Sequence, residues 1–202
     1  MKKRRFSEQD WIALGLAELS AKGCDAIKLE AICKAAGLTR GSFYHHFADH
    51  ESFLTGLARH WLKAQTEDVA AVLDAAASAH ERSDALTEAA MSIDYRLELG
   101  MRELARRLPS VREIVRQADA RRLEIVSTLY QESYGLDAEH AYRFAYLEYA
   151  AFSGIILLDP DIPAEQQHGL AKLFERTVAR ALSSDFQQRD AAWPSLPDDV
   201  FD

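Results

Sequence analysis

Helix-breaking residues are scarce in this 202-residue chain, which has nine glycines and five prolines. With Ala, Leu, Glu and Arg abundant, that scarcity favours helix throughout. Alternating β-branched runs bounded by turns are missing too, and with them the usual mark of strands. The expectation is an all-α chain. Cysteine is rarer still: Cys24 and Cys33 lie nine apart, without CxxC spacing, and read as buried thiols. No apolar stretch approaches about 18 residues, so no membrane span is expected. A Gly-rich phosphate loop, a nucleophile elbow, an HExxH pair and an EF-hand loop are also missing. The chain is therefore expected not to be an enzyme and to need no cofactor. His45 and His46 do not suggest a metal site, because adjacent helical residues point about 100° apart.

The start of the chain has the outline of a secretory leader, with Lys2, Lys3, Arg4 and Arg5 ahead of an apolar run from Trp11. Ser7, Glu8, Gln9 and Asp10 separate the two parts, and Glu18 interrupts the run, so a leader is not expected. Ser7 followed by acids reads instead as a capped helix start. A cytoplasmic protein is the expectation.

Residues 26–47 carry the strongest signal present. Leu29, Ile32 and Ala36 fall at i, i+3, i+7 and form one apolar stripe. Gly37 suits a left-handed helix end, Leu38 fills the angle that follows, and Thr39 is a preferred N-cap. Phe43 and Phe47, four apart, then turn inward. Arg40, Gly41, Ser42, Tyr44 and His45 lie at the start or on the other faces of that short helix. This is a helix-turn-helix, whose second helix enters the major groove N-terminus first. The pattern alone also suits all-α domains that never meet DNA.

From about Trp11 to Leu54 the chain resembles, without a gap, the DNA-binding domain of TetR-family transcriptional regulators. The residues that carry the likeness are Ile12, Leu16, Ala21, Lys22 and Gly23, the stretch from Ile32 to Gly37, the run from Leu38 to Phe47, and Glu51 to Leu54. The resemblance implies a three-helix head over residues 1–48 and a helical-bundle effector and dimerisation domain over 49–183, with about nine helices in all; residues 184–202 read as an acidic tail. It also implies a homodimer built on the last two long helices. Two positions depart from the family. Ile27 and Lys28 stand where it usually has Thr or Ser, and His50 stands where it usually carries a phosphate-clamping lysine. Lys28 offers a longer, charged contact there; His50 is the weaker substitute.

Charge is divided unevenly. Residues 1–47 hold eight Lys/Arg and five Asp/Glu, a balance of +3, which leaves −11 for the remainder of a chain of net charge −8. Such a dipole orients a protein on a polyanion, though an acidic body also serves solubility. The basic run at residues 2–5 reads as an arm that reaches phosphates or a minor groove.

In the body, Asp49 should cap a long linking helix that runs to about Ala77, with Phe53, Leu57, Trp61, Val69, Val72 and Leu73 facing inward. Asp84 should cap the next, striped from Leu86 to Leu108. Pro109 should open a short helix, and another should run from Asp119 to Tyr134 and stop at Gly135. Asp137 should cap a helix to Leu158, and Pro163 should open the last, to Ala181. Small residues between Ala141 and Gly154 suit close helix contact. Trp193 and Phe201 are candidates for docking the tail. The i,i+4 pairs Glu98–Arg102 and Glu103–Arg107 read as surface partners. Candidate pocket residues are Trp61, Met91, Tyr95, Met101, Tyr130, Tyr134 and Phe152, each of which also suits an ordinary core; an apolar or amphipathic effector would fit them.

The function expected is a dimeric regulator on a palindromic DNA operator, a repressor released by a small-molecule effector. Thr39, Arg40, Gly41, Ser42, Tyr44, His45, Lys28 and His50 would contact the DNA. The alternatives are an activator, and a dimeric helical ligand-binding protein that has lost operator binding.

Overall fold

A computed structural model describes residues 6–76 and 78–182. The basic run at residues 2–5 and the tail with Trp193 and Phe201 lie outside them. Among the described residues there is no strand, and no helix is long and apolar enough to cross a membrane.

The head comprises α1 (Glu8–Lys22), a 3-10 turn (Cys24–Ile27), α2 (Leu29–Ala36) and α3 (Arg40–Tyr44). Next comes a rod made of α4 (His50–Leu62), a π-helical turn (Lys63–Glu67) and α5 (Asp68–Asp74). The body continues with α6 (Ala79–Met91), α7 (Tyr95–Arg107), α8 (Pro109–Tyr134) and α9 (Ala138–Leu158), and the last described helix is α10 (Ala164–Ala181). With the rod counted once, the described residues hold nine α-helices.

Local chemistry sets most of these bounds. Ser7 and Asp10 form a reciprocal capping box at α1, with Ser7 N donating to Asp10 over 2.8 Å and Asp10 N to Ser7 Oγ over 3.2 Å. Asp49 caps α4 by accepting from Ser52 N at 2.7 Å, and Asp137 caps α9 by accepting from His140 N at 2.9 Å. Gly37 and Gly135 close α2 and α8 at φ of 64° and 67°, a region that costs other residues more.

Four expectations are corrected. Ser78, not Asp84, caps α6, accepting from Glu81 N, and Asp84 lies inside that helix. The stripe from Leu86 to Leu108 is two helices, because Asp94 accepts from Leu97 N at 3.0 Å and starts α7. Its other oxygen accepts from the Ser20 hydroxyl on α1, which fixes the break against the head. The separate helices after Pro109 and Asp119 are one 26-residue helix, since nothing between them breaks it and the Asp119 carboxylate serves Arg102 and Tyr149 instead of a cap. Val72 faces outward, 63% exposed.

Residues up to Asp161 form one compact unit, and α10 belongs to a second. Within the first, a single apolar core runs from Trp11 and Phe43 through Phe53 and Leu57 to Met101, Val111 and Ala118, so head and body share it. Close approach demands glycine twice. A Cβ on Gly15 would meet Leu57 and Phe53 at 2.7 Å, and one on Gly100 would meet Leu19 at 2.8 Å. The rod and α7 therefore lie hard against α1. Helix α10, taken alone, presents Leu170 and Leu173 to solvent.

Candidate nucleic-acid interface and ligand cavity

Helix α3 is short and is held from behind. Phe43 is fully buried and meets Trp11 edge-on at 5.3 Å, Phe53 at 5.3 Å and Phe47 at 5.1 Å. Thr39 Oγ1 accepts from Ser42 N at 3.3 Å and caps its start. With that face committed to the core, Thr39, Arg40, Gly41, Tyr44 and His45 are left exposed, Tyr44 by 49%, and Ser42 is half-buried. Nothing obstructs Gly41, where an added Cβ would find only Thr39 Oγ1 at 3.7 Å.

The charged candidates are partnered. Arg40 pairs with Glu30 of α2, and Lys28 Nζ lies 2.8 Å from Asp25. Lys22 likewise pairs with Glu18. Exposed pairs of this kind are weak, so a phosphate or guanine can replace the carboxylate at small cost. Residues 6–47 hold four cations and five acids, a balance of −1, so the positive charge of the head depends on residues 2–5. His50 is drawn inward: its Nε2–H donates to the Ile27 carbonyl at 2.8 Å, tying the start of α4 to the turn before α2.

Deeper in the body lies a cluster that the sequence reading placed wrongly. Glu98 is 1% exposed, not a surface residue. It accepts from Arg102 Nε at 3.1 Å and from Arg122 Nη1 and Nη2 at 3.1 and 3.4 Å. Arg102 also grips Asp119 through both Nη atoms, at 3.2 and 2.9 Å. The Tyr149 hydroxyl donates to Asp119 at 2.6 Å and accepts from both arginines. Burial pushes the Tyr149 phenol up to about 12, with Asp119 adding to the shift and the two guanidinium groups opposing it. Arg122 Nε donates to Thr66 Oγ1 at 3.0 Å, and its guanidinium lies 5.0 Å from the centre of the Trp61 ring. One electroneutral knot thus joins α7, α8, α9 and the π turn. Its signal in the sequence was the spacing Tyr95, Glu98, Met101, Ala105, a second buried stripe that includes an acid. The Glu103–Arg107 pair is exposed, as read from its spacing.

A cavity of about 110 Å3 adjoins this knot. Gln65, Thr66, Arg122, Glu148 and Tyr149 supply its polar lining; Val69, Leu86, Ile93, Ile125, Val126 and Phe152 supply apolar walls. Of the seven residues proposed from sequence, Phe152 lines it. Tyr95 packs behind Phe152, edge-on at 5.9 Å. Tyr130 stacks on Tyr134 at 5.7 Å and donates to Glu148 at 2.6 Å. Trp61 and Met101 lie in the shared core, and Met91 is half-buried at the end of α6. Both cysteines are buried free thiols. Burial pushes Cys24 up to about 11, helped by Glu103, and burial also raises Cys33.

Residues 12–56 match the family of bacterial regulatory proteins, tetR family. No curated protein matches the chain in sequence. Solved structures share its fold at low identity. A chain from Pseudomonas aeruginosa PAO1 assigned as a transcriptional regulator aligns at 16% identity and a TM-score of 0.67, over 87% of this chain and 93% of that one. A transcriptional regulator from Rhodococcus sp. Rha1 aligns at 18% and 0.65, over 93% and 100%. A chain from Saccharomonospora viridis, assigned as a transcriptional regulator and solved with choline, aligns at 17% and 0.63, over 74% and 83%.

Proposed function

We propose that this DNA-binding regulator, a member of the TetR family by its N-terminal domain, is a repressor that holds a palindromic operator as a homodimer and releases it on binding a small molecule. The observation that carries the reading is α3, whose rear face is locked by Phe43 and Phe47 while Thr39, Arg40, Gly41, Tyr44 and His45 stay exposed. Arg40 is the natural guanine reader, since a guanidinium can give two parallel hydrogen bonds to O6 and N7. Thr39, Ser42, Tyr44 and His45 hold phosphates. Lys28 and the arm at residues 2–5 add attraction that falls with salt. His50 supports the turn from behind and leaves direct phosphate contact to its neighbours.

Each subunit supplies one recognition helix, which puts half-site centres about 34–36 Å apart or near a multiple of that. The dimer uses α9 and α10. Leu147, Leu157 and Leu158 of α9 are exposed, the last by 86%, and an isologous contact would cover such side chains. Light scattering at micromolar concentration should report a dimer. The effector occupies the cavity beside Gln65 and Thr66, which belong to the rod that begins just after the head. A ligand there moves the equilibrium only by preferring one arrangement of the rod over another. The choline-bound neighbour is a precedent for a small molecule in this fold.

Selection of bound genomic fragments should return one palindrome. On it, Arg40→Ala should cost about 1–3 kcal/mol and relax preference at one base pair, whereas Lys28→Ala should weaken all sequences alike and flatten the salt slope. Equal effects of both variants on every sequence would remove Arg40 from base reading. The pairing of Arg40 and Lys28 with acids supports a second reading, a ligand-binding dimer without an operator. No retardation of any selected fragment at low salt would favour it.

A further inference from the structure

We infer that Glu30 is a specificity-determining residue of the DNA interface: paired with Arg40, it turns that guanidinium from a phosphate binder into a base reader. This rests on the reading above in which α3 enters the major groove, and it gives a role to an acid on the preceding helix.

The fold brings the two groups together at the start of the reading helix. Arg40 is the first residue of α3 and Glu30 the second of α2. Arg40 Nη2 donates to a Glu30 carboxylate oxygen. Arg40 also opposes the rise of the Cys33 thiol, so its guanidinium lies over the face of α2 that Glu30 and Cys33 share at i,i+3. The side chains stay 59% and 80% exposed, and an ion pair that wet adds little to stability. Yet the first helix of this motif crosses the DNA backbone, where a carboxylate is a cost. The acid therefore needs a reason other than folding.

Discrimination supplies one. A phosphate draws on the charge of a guanidinium as well as its hydrogens, and Glu30 opposes that attraction with a charge of its own. Guanine O6 and N7 are neutral acceptors that ask for two parallel hydrogen bonds. Nη2 lies on two edges of the guanidinium fork, one shared with Nη1 and one with Nε–H, and points one hydrogen along each. Glu30 takes one of those hydrogens, which leaves the other edge whole. The pair thus loses pull on phosphate and keeps a reading edge. Lys28 is the counter-case. Its Nζ lies 2.8 Å from Asp25, but an ammonium has no planar fork, so Asp25 tempers general attraction alone.

The test compares the selected palindrome with a scrambled duplex of equal length, over a salt series, for the full chain and its Glu30→Gln and Asp25→Asn variants. Both substitutions fall on exposed side chains, and a cooperative melt like the parent's verifies folding. Glu30→Gln should tighten binding to the scrambled duplex about threefold and steepen its salt slope by up to about one. The freed Arg40 then divides its bonds between phosphate and base. The palindrome-to-scrambled ratio should therefore fall by at least about fivefold, with preference relaxed at the base pair that Arg40→Ala relaxes. In an Arg40→Ala background, Glu30→Gln should leave base preference where it is. Asp25→Asn should tighten both duplexes alike. A ratio that Glu30→Gln leaves unchanged or raises would overturn the inference. So would a loss of ratio that persists undiminished in the Arg40→Ala background. Base preference that needs Arg40 but not Glu30 rejects only the role of Glu30. If no base pair depends on Arg40, or the parent retards no fragment, the reading of α3 falls with it.

Discussion

The head and the middle of the body solve the same packing problem with opposite materials. Behind α3 the contacts are aromatic, with Trp11, Phe43, Phe47 and Phe53 meeting at about 5 Å and no charge among them. Even the Trp11 indole N–H has no hydrogen-bond partner there. Beneath the cavity the centre is ionic, with two carboxylates, two guanidinium groups, a phenol and a threonine satisfying one another. An apolar core is indifferent to direction and holds a surface helix in one place. A hydrogen-bonded core has directional partners, so it can be rearranged by a molecule that offers or takes one bond.

The largest effect that would break this contrast is at Glu98. Glu98→Gln keeps the shape but leaves Arg102 and Arg122 facing too little negative charge, and should cost about 3–5 kcal/mol in denaturant unfolding. A change under about 1 kcal/mol would mean that the knot is no more demanding than a surface pair.

The head should respond to volume instead. Gly15→Ala puts a methyl 2.7 Å from Leu57 and Phe53, and should cost about 1–3 kcal/mol after allowing for the better helix propensity of alanine. Gly41→Ala brings its methyl only to an ordinary 3.7 Å contact with Thr39 Oγ1, so its stability should stay within about 0.5 kcal/mol of the parent. Operator affinity should nevertheless fall, because the methyl lies on the exposed face of α3. Unchanged DNA affinity in that variant would move the interface elsewhere.

The seam between the two regions gives the smallest effect, and only in alkali. Cys24 donates to the Gly100 carbonyl of α7 at 3.8 Å, and its thiol rises from an ordinary 9.0 to about 11 on folding. Between those values the unfolded chain has lost the proton and the folded chain has kept it. Stability therefore declines as pH climbs from 9 towards 11, while nothing is lost below 9. Cys24→Ala should flatten that part of the stability curve. An unchanged slope would assign the alkaline loss to other groups.

What the sequence revealed follows the range of the interactions involved. Ser7, Asp49, Asp137, Gly37 and Gly135 act on neighbours within four residues, and each was legible. The inward turn of Phe43 and Phe47 was legible for the same reason. The break at Asp94 rests on an equally local cap on Leu97, but the periodic stripe ran straight across it and hid it; the bond from Ser20, 74 residues away, holds it against the head. Glu98 and Arg102 show the limit most clearly, since i,i+4 spacing is the same on a wet face and a buried one. The cavity was the least accessible feature. Its walls come from four stretches of chain, and the large aromatics whose size suits a pocket, Trp61, Tyr95 and Tyr130, are buried outside its lining.

The π turn was written in the spacing all along. The inward residues of the rod run Phe53, Leu57, Trp61, then Thr66, Ala70, Leu73, with one step of five among steps of three and four. Asp68 N accordingly donates to Lys63 O, five residues back. A step of five is what remains when one residue has been added to a regular helix and the surplus is swallowed within a single turn. Helix on either side keeps its phase, so the head and the lower body need not rotate to accommodate it. The surplus residue is taken up in one turn, placed where Thr66 meets Arg122 and the cavity begins. A chain one residue shorter between Trp61 and Thr66 would keep every inward side chain in register as an unbroken α-helix.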